Sequence, residues 1–381
     1  MTQQMLADRL GKSKSWVDKV ERGVRTLDRF SAVRDVAEAL RVDPTVLVGG
    51  DARPSSTTVA VEGVDGVRAA LARYPALLGG PDSRPVLPAG ELGRRVEHAW
   101  LTYEHADYPQ LARMLPGLLS DAQHAHAASA AGEVVGLLVQ VYRIVASVLV
   151  KLGEADLAWL AADRALAVAA NDPLLGAVAA IPLGQALRTA GRGRLAMAAT
   201  VAAAHRISPP VPHDGPPEEL SLCGTLLVEA ALAAAVCGDV CGVGKLIGQA
   251  AEVAERVGEG RDHHGGVSFG PAVVEAARVV VAVELGDGGE AVAWHEKAIG
   301  LSGWGRLPVE HRAAHLIDAA RAYLQVGDLL RAGRALVDAD RIAPAEVRCR
   351  PVARTVIAQV ARGGPAPADV VRLAALGGPA R

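Results

Sequence analysis

Polar and basic side chains near the start of the sequence are spaced so that they could contact DNA. Gly11 separates two short amphipathic segments, because Leu6 and Leu10 lie four residues apart before it and Val17 and Val20 lie three apart after it. This spacing predicts two helices joined by a tight turn, a helix-turn-helix. The outer face of the second helix then carries Lys14, Ser15, Asp18, Lys19 and Arg22. A polar and mostly basic strip of this kind is typical of a helix that enters the major groove.

The same segment resembles the helix-turn-helix regulators of the lambda-repressor-like, xenobiotic-response-element type. Three pieces match in order: Thr-Gln-x-x-Leu-Ala at 2–7, Gly-x-Ser at 11–13 and Val-x-x-x-Glu-x-Gly at 17–23. The resemblance implies base-facing positions for Lys14, Ser15 and Lys19, and positions near phosphates for Gln3, Arg22 and Arg25. Asp18 lies on the base-facing side, where a carboxylate repels phosphate but can accept a hydrogen bond from cytosine.

Members of this family normally begin with one more helix, whose arginine pairs with the glutamate in the place of Glu21. No such helix precedes Thr2 in this sequence. We therefore expect the natural protein to begin upstream of Met1, with Glu21 lacking its usual partner here. The alternative is a vestigial head that no longer binds DNA, on a protein that serves as a protein-interaction scaffold.

The composition is typical of a helical protein of the cytoplasm. Half of the 381 residues are apolar and only 3% are aromatic, which suits helical repeats rich in small side chains. A net charge of −2 argues against general coating of nucleic acids. We find no signal peptide and no uninterrupted apolar run of membrane-spanning length, and the four cysteines form no Cys-x-x-Cys pair. We expect reduced thiols and no membrane partner.

A spacing of glycine and alanine recurs in the long C-terminal part of the chain. A turn glycine is followed by alanines five and twelve residues later in four sets: Gly153, Ala158 and Ala165; Gly191, Ala196 and Ala203; Gly286, Ala291 and Ala298; Gly327, Ala332 and Ala339. Such glycines end helices, and the alanines allow two helices to pack closely. These are the glycine and alanine positions of the tetratricopeptide repeat, with weaker copies around Ala106 and Gly238. The alternative is an irregular alanine-rich bundle.

The sequence therefore predicts an all-α protein with a small helix-turn-helix head followed by an α-solenoid of tetratricopeptide-like helix hairpins. We place the head at 1–50, a linker and connecting helix at 51–87, the repeat domain at 88–375 and a short tail at 376–381.

Longer stretches of the chain resemble a regulator family common in filamentous actinobacteria. The stretches that carry the likeness are 157–165, 261–264 with 269–271, and 343–351. In that family a lambda-repressor-like head precedes a tetratricopeptide-like body. The resemblance implies a transcription regulator, and we expect it to bind operator DNA as a homodimer.

The repeat domain is expected to dimerise, to bind an effector, or both. A polar run in a glycine-rich loop is the predicted contact: Arg261, Asp262, His263, His264 and Phe269. A structural hydrogen-bond cluster is the alternative reading of that loop. Asn171 is the only asparagine, which argues against a clamp of asparagine side chains on a peptide backbone. A protein, a peptide held in another way, or a small molecule all stay open as the effector.

The sequence offers little support for catalysis or metal binding. His311 and His315 lie four residues apart on a predicted helix, but no third ligand follows at a supporting spacing. We therefore expect no metal and no cofactor. Nucleophile-elbow, phosphate-loop and dinucleotide-binding motifs are missing from the sequence, so we expect a protein without enzymatic activity.

Overall fold

A computed structural model gives the structure of this protein. It describes residues 2–10, 14–21, 36, 39, 63–73, 85–129, 131–170, 172–209, 215–258, 269–363 and 368–376. The chain divides into two compact units, 1–58 and 59–381. Within the described ranges every regular element is helical, which confirms the all-α prediction.

The first unit contains a helix-turn-helix. Helix α1 spans Gln3–Leu10 and helix α2 spans Lys14–Glu21. Ala7 is fully buried and Val17 is nearly so, as expected where two helices cross closely around a small side chain. Thr2 caps α1, because its Oγ1 accepts a hydrogen bond from the Met5 amide at 3.2 Å. The predicted N-cap of α2, Ser13, lies outside the described residues.

The second unit is a row of helices that pack mainly against their neighbours in the chain. Its helices are α3 (Val64–Leu71), α4 (Ala89–Glu104), α5 (Tyr108–Ala128), α6 (Gly132–Leu152), α7 (Ala155–Ala169), α8 (Pro173–Thr189), α9 (Gly193–Ile207), α10 (Pro217–Val236), α11 (Val240–Val257), α12 (Pro271–Leu285), α13 (Gly288–Ile299), α14 (Val309–Gln325), α15 (Leu329–Ile342), α16 (Pro344–Cys349), α17 (Pro351–Arg362) and α18 (Ala368–Leu376). This arrangement confirms the solenoid. Helix α3, from the predicted connecting segment, packs on α5.

Six turns between paired helices share one backbone motif. Each begins with a residue of positive φ: Ala106, Gly153, Gly191, Gly238, Gly286 and Gly327. The amide of that residue bonds the carbonyl three residues before, and the next amide bonds the carbonyl five before it, which satisfies the end of the first helix. At four of these turns the next residue is an aspartate that caps the second helix: Asp107, Asp239, Asp287 and Asp328.

The alanines of the sequence pattern lie where the hairpin helices touch. The four that come five residues after the turn glycine are fully buried: Ala158, Ala196, Ala291 and Ala332. Larger side chains at these positions would force the paired helices apart. The glycine and alanine spacing therefore marks hairpins, as the sequence predicted.

We expect alanine at two of the turn glycines to destabilise the body to different extents. Gly286→Ala should lower the free energy of unfolding by about 1 to 2 kcal/mol. Its Cβ would contact no other atom, so the only cost is the left-handed φ that alanine would have to adopt. Gly153→Ala should cost more, since its Cβ would also lie 2.7 Å from Pro351 Cγ. Urea unfolding of both variants measures the difference. Equal losses would show that Pro351 does not press on this turn.

The first and last helices of the second unit share a hydrophobic core. Leu92, Leu111 and Leu149 belong to the same buried cluster as Ile317 and Val356. Helix α14 packs on α4, and α16 packs on α6. The end of the helical row thus returns to its beginning, which sequence periodicity did not predict.

Two helices of the body, α6 and α10, are long and apolar enough to cross a membrane by length and composition alone. Their most apolar windows are 61% and 72% buried inside the body, as core helices of a soluble protein are. Each also carries a buried charged side chain, Arg143 on α6 and Glu229 on α10. Packing explains their apolar character.

Candidate functional site

The predicted base-facing residues all lie on α2 of the head. Lys14 occupies its first turn and is exposed, whereas Asp18 is half-buried. The backbone of Ser15 and Lys19 belongs to α2, but their side chains lie outside the described part of the chain. Arg22 and Arg25 lie outside the described residues as well. The roles of these residues stay predictions.

A hydrogen bond joins the first turn of α1 to the last turn of α2. Gln3 Nε2 donates to Glu21 Oε2 at 2.6 Å, so Glu21 has a partner within the head. Gln3 thus takes the place of the arginine that the family resemblance pairs with Glu21. Arg9 adds a second tie by donating from Nη1 to the Ala39 carbonyl at 3.0 Å. The Gln3–Glu21 bond helps to fix how α1 and α2 meet, whereas the Arg9 bond ties α1 to residue 39.

The predicted effector loop falls largely outside the described residues, which include none of Arg261, Asp262, His263 and His264. Phe269 is described and is buried in the core beside Gly224 of α10. A Cβ at Gly224 would fall inside the Phe269 ring, so the glycine makes room for it. The predicted ligand contact of Phe269 stays a prediction.

The body contains a cavity of about 630 Å³ between its helices. Side chains from α4, α6, α8, α10, α12 and α14, the inner helices, line it, and so do Arg350, Pro351 and Val352 at the start of α17. Among the described residues the hairpin partners α5, α7, α9, α11, α13 and α15 contribute none. Much of the wall is apolar: Ile181, Val228, Leu232, Val273 and Val280. A volume of this size and a wall of mixed polarity are typical of small-molecule sites.

A buried ionic cluster joins the two ends of the body next to the cavity. Glu346 of α16 is fully buried. Its Oε1 accepts hydrogen bonds from Tyr108 and, at 2.7 Å, from Lys151, and its Oε2 accepts from Arg350 at 2.9 Å. Lys151 also donates to Glu310 at 2.5 Å. Three helices and the turn before α17 thus meet at one carboxylate, and α14 joins the cluster through Lys151.

The cluster keeps Glu346 charged. Burial alone would raise the pKa of this carboxyl, but Lys151 and Arg350 outweigh burial and lower the pKa to about 2. Burial likewise opposes the charge of Lys151, and the carboxylates of Glu310 and Glu346 overcome it, so the pKa of Lys151 is raised. Each charge is therefore stable only while its partners are in place.

Arg143 projects from α6 beside an aromatic group on the cavity wall. Its Nη1 donates to Gln140 Oε1 at 2.6 Å, and its guanidinium lies 5.0 Å from the centre of the Trp100 ring. Trp100 Nε1 donates to the same Gln140 oxygen at 3.0 Å. Burial lowers the pKa of Arg143 to about 9, so the side chain still carries its charge at neutral pH.

Three further ion pairs line the cavity at α8, α10, α12 and α14. Glu229 is buried and accepts from Gln185 Nε2 at 2.6 Å and from Arg188 Nη2 at 3.2 Å. Arg321 donates to Glu284 at 2.7 Å and to Asp318 at 3.1 Å. The polar wall is thus organised by contacts between neighbouring inner helices.

His315, one of the two histidines considered as metal ligands, pairs with another histidine. Its Nε2 lies 2.8 Å from Nδ1 of His295 on α13, a hydrogen-bond distance. Burial lowers the pKa of both rings, so they are neutral at neutral pH. Within the described ranges no group of three or more His, Cys, Asp or Glu side chains could hold a metal ion.

Sequence reasoning missed the residues that form this cavity. Glu346 and Arg350 lie in the stretch 343–351 that resembles the regulator family, but nothing in their spacing pairs them with Lys151, which is 195 residues from Glu346 in the chain. The only local signal is that Glu346 stands between the apolar residues Ala345 and Val347. A carboxylate in such surroundings is either exposed or paired.

Comparison with known proteins identifies the head alone. A family model described as a helix-turn-helix domain matches residues 1–47. No curated protein matches the chain. The match supports a DNA-binding regulator, and it leaves the role of the helical body open.

Proposed function

We propose that this protein is a sequence-specific transcription regulator of the cytoplasm, with a head of the xenobiotic-response-element type and a tetratricopeptide-like body. The helix-turn-helix of residues 1–47 carries the proposal. Helix α2 enters the major groove with Lys14, Ser15, Asp18 and Lys19 toward base edges, while Gln3, Arg22 and Arg25 approach phosphates.

The protein binds its operator as a homodimer. Two heads related by a two-fold axis read half-sites about 34 Å apart, one turn of DNA. The body mediates dimerisation, responds to an effector, or both. The turn motif shared by six hairpins and the buried alanines support a tetratricopeptide-like architecture, and the cavity supports binding of an effector.

Selection of binding sites from random DNA by the full chain tests the proposal. We expect a consensus sequence with two-fold symmetry. With that consensus, Lys14→Ala should lower the discrimination against unrelated DNA by about 1 to 3 kcal/mol. Arg25→Ala should instead weaken binding to all sequences and reduce its dependence on salt. Titration of labelled duplexes at several salt concentrations measures both effects.

Lys245→Ala is the matched control, because Lys245 is an exposed lysine on α11 of the body. Lys245→Ala should leave both the discrimination between DNA sequences and the salt dependence of binding unchanged. Enrichment of no sequence would contradict the regulator proposal and favour a scaffold with a vestigial head. If Lys14→Ala weakened binding equally to all DNA sequences, Lys14 would be a phosphate contact and not a base-recognition residue.

A further inference from the structure

The cavity of the body has features that define what kind of molecule fits it. It measures about 630 Å³ and lies among the inner helices α4, α6, α8, α10, α12 and α14. Cavities of roughly 300 to 1,000 Å³ enclose small organic molecules, whereas a folded partner needs an extended surface. Size therefore favours a small molecule over a protein as the effector.

The wall of the cavity is charged but electrically balanced. Among the described residues its basic members are Arg143, Lys151, Arg188, Arg321 and Arg350. Its acidic members are Glu104, Glu229, Glu284, Glu310 and Asp318. Burial lowers the pKa of His311 and His315, so neither ring adds a charge at neutral pH. These five positive and five negative lining side chains balance one another, and Lys151 and Arg350 are also bound to Glu346 behind the wall.

Ion pairs within the wall already use several of these charges. Lys151 is bound to Glu310, Arg188 to Glu229, and Arg321 to both Glu284 and Asp318. A ligand with a net charge would have to break one of these pairs or remain without a counter-charge. An uncharged ligand avoids both costs.

Between these polar points the wall is apolar. Val228 and Leu232 of α10 face the same space as Val273 and Val280 of α12. Removal of apolar ligand surface from water against these side chains contributes about 25 cal/mol for each Å². A matching ligand therefore combines apolar surface with polar groups.

We propose that the cavity is the effector site and that it takes an uncharged, amphipathic small molecule. This inference rests on the proposed function only in naming the ligand as an effector of DNA binding. The site itself stands on the volume, the apolar stretch and the internally paired charges of the wall.

Two fluorescent dyes test the site without DNA. Nile red is uncharged and has a carbonyl oxygen, whereas anilinonaphthalene sulfonate is an anion of similar aromatic character. With the full chain we expect a saturable, one-to-one increase of Nile red fluorescence and at least ten-fold weaker binding of the sulfonate. Comparable affinity for both dyes, or no binding of Nile red, would overturn the proposal.

A bulky residue inside the cavity locates the dye. Thr225 of α10 lines the cavity, and its Oγ1 donates to the Ser221 carbonyl one helical turn before. Thr225→Trp should weaken Nile red binding at least ten-fold. The matched control is Thr355→Trp, because exposed Thr355 of α17 makes the same type of bond to Pro351 and lies outside the cavity wall.

Both variants are first compared with the unchanged protein by circular dichroism and thermal melting. If Thr225→Trp does not fold, Ser147→Trp, on the cavity wall at α6, replaces it in the same assay. Binding as tight in the folded cavity variant as in the Thr355→Trp control would overturn the assignment. Because no DNA is present, this outcome is distinct from a failure to find an operator.

Discussion

Glu346→Gln is expected to lower the free energy of unfolding by about 3 to 5 kcal/mol. The substitution keeps the shape of the side chain but removes the charge that Lys151 and Arg350 surround. It also turns an amide NH₂ toward groups that are themselves donors. Chemical denaturation at neutral pH, followed by circular dichroism, measures the loss.

The loss should depend on pH in a defined direction. The pKa of Glu346 is lowered from its ordinary value of 4.5 to about 2 in the folded protein. The carboxylate therefore stabilises the fold fully above about pH 4.5, and this contribution disappears as pH falls toward 2. Because glutamine does not titrate, the free energies of unfolding of the two proteins should converge over that interval.

Glu296→Gln is the matched control for the cluster. Glu296 is exposed and lies 3.5 Å from Arg331, an ion pair for which we expect about 0 to 1 kcal/mol. Equal effects of the two substitutions, or a difference that does not shrink on acidification, would show that Glu346 is not the charged centre of the closed body.

Phe269→Ala is expected to lower the free energy of unfolding by about 3 to 5 kcal/mol, which is the second large effect. The Phe269 ring is buried against Gly224, and its removal leaves a cavity between α10 and the start of α12. Gly224→Ala should also destabilise the body, since its Cβ and the ring cannot occupy the same space. The double variant should be more stable than the sum of the single losses predicts.

Urea unfolding of the unchanged protein, the two single variants and the double variant provides a double-mutant cycle for Phe269 and Gly224. Leu195→Ala, at an exposed position of α9, is the control and should change stability little. Additive losses would mean that the ring and the glycine do not share a site. A stable Phe269→Ala protein would leave the predicted ligand contact as the main role of this residue.

Local sequence patterns predicted the helices and their pairing. Left-handed backbone at Gly153, Gly191, Gly286 and Gly327 and close helix contacts at the following alanines depend on residue type within one hairpin. The helix-turn-helix was predictable for the same reason, because its buried residues Ala7 and Val17 are close in the chain. The aspartate caps after the turns were equally local, and they would have strengthened the repeat assignment.

In the head, local sequence patterns did not determine the hydrogen-bond partners of the polar side chains. The resemblance implied that Glu21 pairs with a residue of another helix, and it placed Gln3 near phosphate. In the structure without DNA, Gln3 donates to Glu21, and its approach to phosphate stays a prediction. A long polar side chain can reach several partners, and its choice among them depends on distances that spacing along the chain does not determine.

The sequence by itself thus determined an all-α chain with a DNA-reading head and a body of helix hairpins, because those features arise from contacts between residues close in the chain. Only the tertiary structure decided that the ends of the body meet, and that Lys151, Glu310, Glu346 and Arg350 share one buried cluster beside a cavity. These side chains are far apart in sequence. Their pairing depends on how small rotations between successive hairpins accumulate, which no single repeat specifies.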